Sequence, residues 1–301
     1  MIVFFGLPHL IAVAPEPDVS PHPFPVSVDP KNKVIDGRGD EVPALYSLAA
    51  AYTASIDAAA LLASAIMTTK TYENYAFFSS PVAVELDPGM RKEQVAVLLD
   101  HRLKWSDDQR AIFLDLVAKE GTGEGRLYPS TYFFAASTTP YEAFAQINGR
   151  FAERVKARYA SSTEERVPIE DALTIASIIE REAGSKEEMA VISGIMWNRI
   201  FADMRLQMDS TLQYARGTNK NGWWPVPRPR DKYVKSEFNT YANHGLPPAP
   251  IASPSVAAIL AALNPERTEC MYFFHSRGTF YCSKTYEEHV KALKKIYGRG
   301  K

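Results

Sequence analysis

The sequence predicts an α+β fold: a small α/β subdomain, then a mixed helix-rich domain that carries a C-terminal hairpin. Three observations lead there. Val82-Ala-Val-Glu-Leu86 alternates as a half-buried strand does, Asp87-Pro-Gly89 turns the chain, and helical spacing follows from Lys92 to Leu103. Ser106 then reads as the N-cap of a second helix through Lys119, before strand-like Thr131-Tyr-Phe-Phe134. From Ile169 the pattern becomes helical, over 169–183 and again over 186–203, where Met189, Ile192, Ile195, Met196 and Ile200 recur at helical spacing. Near the end, Met271–Phe274, a turn at His275–Gly278 and Thr279–Tyr281 read as a hairpin, followed by a basic helix over 285–297.

Between these elements, Thr139 and Pro140 open a helix to about Tyr159, polar Ser161–Arg166 marks a boundary, and a helix is expected over 254–263. The stretch between 203 and 254 is dense in proline and aromatic residues (Trp223, Trp224, Pro225, Pro227, Pro229), a composition suited to building a cleft. Four regions result: 1–43, an apolar start and proline-rich lead-in; 44–80, a helical segment; 81–135, the small subdomain; and 136–301, the larger domain. Residues 15–43 read as an extended lead-in. Met1–Ala14 is apolar but broken by Pro8 and His9, too short to span a bilayer and without the basic start of a signal peptide. Ala44–Thr69 reads as a soluble core helix, because the central Asp57 would cost a membrane span about 3 kcal/mol.

Composition excludes several functions. The 301 residues are 46% hydrophobic and 23% charged, with a net charge of −1, so no nucleic acid partner is expected. The six histidines are dispersed and form no metal-binding spacing; no metal and no cofactor are expected. Cys270 and Cys282 flank the hairpin and read as two free buried thiols, although a bulge or three-residue loop could oppose them.

Three segments gather polar groups against apolar ones. Leu173-Thr-Ile-Ala-Ser177-Ile-Ile-Glu180 is apolar around nearly its whole circumference and ends in a carboxylate. A carboxyl group on an apolar wall resists ionisation, which is how proteins keep a general acid at neutral pH. A plain ion pair of Glu180 with Arg181 or Arg199 is the alternative. Gln207, Asp209 and Thr211 present amide, carboxylate and hydroxyl groups of the kind that bind sugar hydroxyls, or Asp209-Ser-Thr211 caps a helix through Tyr214. Asn239 and Tyr241 precede a rigid Gly245-Leu-Pro-Pro-Ala-Pro-Ile251 loop suited to carbohydrate or peptide recognition, or simply to a chain reversal.

In order and spacing, Ala176-Ser-Ile-Ile-Glu-Arg-Glu182, Arg205-Leu-Gln-Met-Asp-Ser-Thr211 and Asn239-Thr-Tyr241 with Gly245–Pro248 resemble the endolytic murein transglycosylases, the YceG-like or MltG family. Glu124-Gly-Arg-Leu-Tyr-Pro129 and Ser283-Lys-Thr-Tyr-Glu-Glu-His289 resemble two further motifs of that family, and the module at about 82–134 resembles its LysM-like subdomain. Departures are Ser130 for Asp, Phe238 for Tyr, Ala249 for Gly, and Phe280 and Cys282 for a His and a Phe. The resemblance implies endolytic lytic transglycosylase action on peptidoglycan glycan strands, cutting MurNAc–GlcNAc bonds to leave 1,6-anhydro ends and so terminating nascent strands. It implies Glu180 as the catalytic residue, acid and then base, with Glu182 a bystander, and Ser177, Gln207, Asp209, Thr211, Asn239 and Tyr241 as substrate-binding residues of a catalytic domain over 136–301. It further implies association with the cell (inner) membrane, the catalytic domain facing the extracytoplasmic or periplasmic side, and cell-wall synthases as partners. The rival readings are a peptidoglycan hydrolase using Glu182 or Asp209 as base, and an inactive glycan-binding scaffold.

Overall fold

A computed structural model describes residues 23–36, 81–119 and 123–298. The first 14 residues and the expected helix over 44–69 lie outside them. Among the described residues no helix is long and apolar enough to cross a membrane.

The chain first forms two short strands, β1 (Val28–Asp29) and β2 (Val34–Ile35), paired antiparallel. These residues were expected to be part of an extended lead-in. Instead Phe24, Val28 and Ile35 are buried in the larger core. The reason lies in the polar segment expected to be a boundary, which folds as a short helix over Ser161–Arg166. Its Thr163 hydroxyl donates to the Phe24 carbonyl, Arg166 donates to the Val26 carbonyl at 3.0 Å and pairs with Asp36 at 3.1 Å, and the Asn264 amide donates to Pro25 O at 2.8 Å.

The small subdomain follows as β3 (Val82–Leu86), α1 (Lys92–Leu103), α2 (Asp107–Lys119) and β4 (Ser130–Phe134). β3 and β4 pair antiparallel with Val84 opposite Tyr132, so the period of two puts Val84, Leu86, Tyr132 and Phe134 inward and Glu85 outward. Leu99 and Phe113 complete this core with Ile147 of α3 (Pro140–Arg154). The caps fall where the sequence puts them: Ser106 and Gln109 exchange hydrogen bonds at the start of α2, and Thr139 and Glu142 form a capping box on α3.

The second core surrounds α5 (Ile169–Glu182), which follows α4 (Ser161–Arg166). Every residue from Ala172 to Ile179 is buried, against α6 (Lys186–Phe201) and α8 (Val256–Leu263). α7 (Asp209–Arg216) and a long loop with one 3₁₀ turn (Pro229–Tyr233) lie between α6 and α8. Gly194 lets the chain after α8 touch α6, since a Cβ there would stand 2.1 Å from the Glu266 carbonyl. The chain closes with β5 (Tyr272–Ser276), β6 (Thr279–Ser283) and α9 (Tyr286–Tyr297), capped by Thr285.

The two cores meet at a polar joint. Arg91, at the N-cap of α1, lies 4.1 Å from the Tyr214 ring and 5.0 Å from that of Trp223, and donates to the Tyr214 carbonyl at 3.0 Å. Beneath it, Glu124 accepts from the Lys92 backbone at 3.0 Å and from the Tyr214 hydroxyl at 3.4 Å. Burial, then the neighbouring Glu93, push the Glu124 carboxyl up to about 8. A reciprocal pair of backbone bonds, Gly89 to Ser253 and Ser253 to Met90, adds a second tie.

The docking of residues 24–35 has a measurable consequence. Phe24 is 2% exposed and packs edge-on against Tyr159. Phe24→Ala should lower unfolding stability by about 3 kcal/mol, the cost of emptying a buried aromatic site. Denaturant unfolding that shows no loss would return this segment to the status of a linker.

Candidate active site

At about 100° per residue, Glu180 and Glu182 point roughly 200° apart from the last turn of α5. They serve different clefts. Glu180 Oε2 accepts from both the backbone N–H (2.9 Å) and the hydroxyl (2.6 Å) of Ser255, the N-cap of α8. It borders a cleft of about 430 Å³ between the small subdomain and the ends of α5 and α6. Neither expected ion pair forms: Arg181 lies 4.0 Å over the Trp224 ring, and Arg199 is buried under the opposite cleft.

That opposite cleft, about 1170 Å³, is lined by Glu182, Gln207, Asp209, Tyr241, Tyr272 and His275 among others. Glu182 Oε1 accepts from the Ser210 N–H at 2.9 Å, satisfying one of the open donors in the first turn of α7. Burial raises the Glu182 carboxyl above the usual carboxylate range, and the Asp209 charge adds to this, while the Ser210 hydrogen bond and His275 oppose it. Tyr241 donates its hydroxyl to Asp209 Oδ1 at 2.6 Å, and burial with the Asp209 charge drives its own titration upward. Gln207 holds a left-handed backbone (φ 53°), fixed by its N–H to Thr240 O at 3.0 Å. Its side-chain oxygen accepts from Arg199 Nη1 at 3.4 Å. One acid carboxyl, a carboxylate steered by a phenol, and an amide thus converge on one open cleft bordered by aromatic rings. Such a set can protonate a leaving oxygen and grip sugar hydroxyls. Among the described residues no group of His, Cys, Asp and Glu could hold a metal ion.

A family model described as the YceG-like family matches residues 44–295. The chain belongs to that family. This YceG-like protein is 35% identical over 177 residues to the endolytic murein transglycosylase of Bacillus subtilis, covering 57% of this chain and 47% of that relative. The endolytic murein transglycosylase of Streptococcus pneumoniae is 30% identical over 169 residues, covering 55% of this chain and 31% of the relative. The chain therefore spans less than half the length of the curated relatives it matches. A crystal structure of a YceG-like protein from Listeria monocytogenes superposes with a TM-score of 0.62 at 27% identity, over 76% of this chain and 81% of that one.

Of the residues expected to bind substrate in this family member, Gln207, Asp209 and Tyr241 share the cleft, and three others do not reach it. Ser177, Thr211 and Asn239 are each 0% exposed. The Ser177 hydroxyl donates to Thr174 O and accepts from Ile251 N–H at 3.0 Å, pinning the proline-rich loop to α5. The Thr211 hydroxyl donates to Met208 O at 2.7 Å and meets that of Thr240 at 2.9 Å. The Asn239 amide donates to Lys232 O and Val234 O and accepts from Tyr241 N–H at 2.9 Å, so it positions Tyr241. These buried groups are hydrogen-bonded to the frame, as burial requires. Glu182, expected to be a bystander, is the glutamate that lines this cleft; no local spacing marks it, because the whole 172–179 run before both glutamates is buried.

The cysteines are also corrected: Cys270 and Cys282 form a disulfide, with Cα atoms 5.8 Å apart. The turn is a tight one at Arg277-Gly278, both at positive φ, which brings Phe273 opposite Cys282 with no bulge or longer loop.

A carboxyl raised by burial is easier to bury neutral than charged. Its cost to the fold is absent below the unfolded carboxylate pKa and grows as pH rises through the folded value. Glu182→Gln should therefore melt higher than the parent protein at pH 7.5 and lose that advantage near pH 4. A melting-temperature difference that is flat across that range would contradict the burial of this carboxyl.

Proposed function

We propose that this chain is a lytic transglycosylase of peptidoglycan, cutting MurNAc–GlcNAc bonds within glycan strands, with Glu182 in place of Glu180 as its catalytic acid and base. The observation that carries this reading is that Glu182 shares its cleft with Gln207, Asp209 and Tyr241, whereas Glu180 is turned away and bound to Ser255. The curated relatives, both named as endolytic murein transglycosylases, support the substrate.

In the proposed reaction protonated Glu182 gives its proton to the glycosidic oxygen as the C1–O bond of N-acetylmuramic acid breaks toward an oxocarbenium-like state. GlcNAc leaves with a free hydroxyl. The Glu182 carboxylate then takes the proton of the C6 hydroxyl while O6 bonds to C1, closing the 1,6-anhydro ring and restoring the acid. Asp209, held by Tyr241, and Gln207 would bind sugar hydroxyl and N-acetyl groups. Cutting inside a strand would end its elongation, placing the enzyme beside cell-wall synthases on the outer face of the cytoplasmic membrane. A disulfide in the hairpin fits such an oxidising compartment. The small subdomain, with its β-α-α-β order, would serve as a LysM-like contact to the glycan.

A second reading is favoured by Asp209 itself, a carboxylate in the same cleft that could activate a water for hydrolysis. Product mass separates the two, since the anhydro product is one water lighter. On purified sacculi Glu182→Gln should lose at least ~10²-fold in turnover, the worth of one acid/base group. Glu180→Gln should stay within a few-fold of the parent. The reverse ranking would restore Glu180.

A further inference from the structure

The cleft beside Glu180 has no part in the reaction proposed above, and its chemistry differs from that of the acid cleft. Charges of both signs stand along it: Glu85 and Asp87 from the small subdomain, Lys186 at the start of α6, and Arg150 from α3. The side chains of Glu85, Asp87 and Lys186 make no hydrogen bond or ion pair among the described residues. The Arg150 guanidinium donates to the Ser130 hydroxyl at 3.2 Å, which holds it along the same wall. Separated charges facing one concavity complement a ligand that carries charges of its own. A murein strand without its peptides offers only the single carboxylate of each lactyl group, and no cation.

The proposed substrate does carry such charges, away from the bond that is cut. Each muramic acid bears a short peptide on its lactyl group, with free carboxylates and an ammonium on its diamino acid. We propose that this cleft binds the peptide stem of peptidoglycan while the glycan lies in the acid cleft, Lys186 and Arg150 meeting stem carboxylates and Glu85 and Asp87 the ammonium. The inference rests on the murein reading above. The two clefts flank the end of α5: Ala183 and Gly184 line this one, and Glu182, the preceding residue, lines the other. A Cβ at Gly184 would stand 3.1 Å from Glu188 Oε2. The Gly184 N–H donates to Glu188 Oε2 at 2.7 Å, an oxygen that also bonds His275 of the acid cleft at 2.9 Å.

The test compares glycan strands bearing stems with strands stripped of them by an amidase. The parent enzyme should show a higher KM on the stripped strands. Lys186→Glu, a change at an exposed position, should raise KM on stem-bearing strands roughly tenfold, leave kcat unchanged and change KM far less on the stripped strands, which keep only their lactyl carboxylates. An equal effect on both substrates, or none on the stem-bearing one, would overturn the proposal. A readout independent of turnover is titration of a synthetic stem tetrapeptide (L-alanine, γ-D-glutamate, a diamino acid, D-alanine) into Glu182→Gln protein. Saturable binding that weakens when Lys186→Glu is added supports the stem site even if murein is not cut. Absence of binding at millimolar peptide sinks it even if murein is cut.

Discussion

The acid cleft stands on one buried guanidinium. Arg199 is 5% exposed and donates to the carbonyls of Met271 (2.6 Å), Leu206 (2.7 Å) and Arg205 (3.1 Å), with Gln207 Oε1 as a further acceptor. A buried arginine is tolerable only when its donors are met, so the loop at 205–207 and Met271, just before the hairpin, must close on it together. That requirement draws the Gln207 amide oxygen to the guanidinium and places Tyr272, 5.0 Å away, over the same charge. The cleft wall is therefore a hydrogen-bonding solution to a charge, and Gln207 and Tyr272 are carried by it.

Glutamate carboxyl groups organise the remaining joints in one repeated way. Glu124 takes the Lys92 N–H at the start of α1, Glu182 the Ser210 N–H at the start of α7, and Glu180 the N–H of Ser255 at the N-cap of α8. Each meets the open donors and positive end of a helix N-terminus. What separates them is access. Glu124 is sealed, whereas Glu180 and Glu182 each open on a cleft.

Much of the fold was legible in the residues. Caps at Ser106, Thr139 and Thr285 and the alternation of Val82–Leu86 mark elements through local chemistry, and the all-apolar 172–179 run marks the central helix. The site was legible only as a neighbourhood. Which cleft Glu180 and Glu182 each line is decided by Ser255 and Ser210, distant in sequence from both. Ser177, Thr211 and Asn239 have the residue types of ligand contacts, yet the buried frame consumes their hydrogen bonds. The lead-in misled for a similar reason: its prolines dominate the composition, while alternating Phe24, Val26 and Val28 carry the packing.

The Arg91 joint has a consequence for any polymer the molecule handles. A guanidinium under aromatic rings, a sealed Glu124 and the paired backbone bonds of Gly89, Met90 and Ser253 fasten the small subdomain to the larger domain on independent contacts. Two clefts mounted on bodies fastened this way keep a constant interval. If the glycan of the proposed substrate lies in one cleft and its peptide stem in the other, that interval gauges the distance between them.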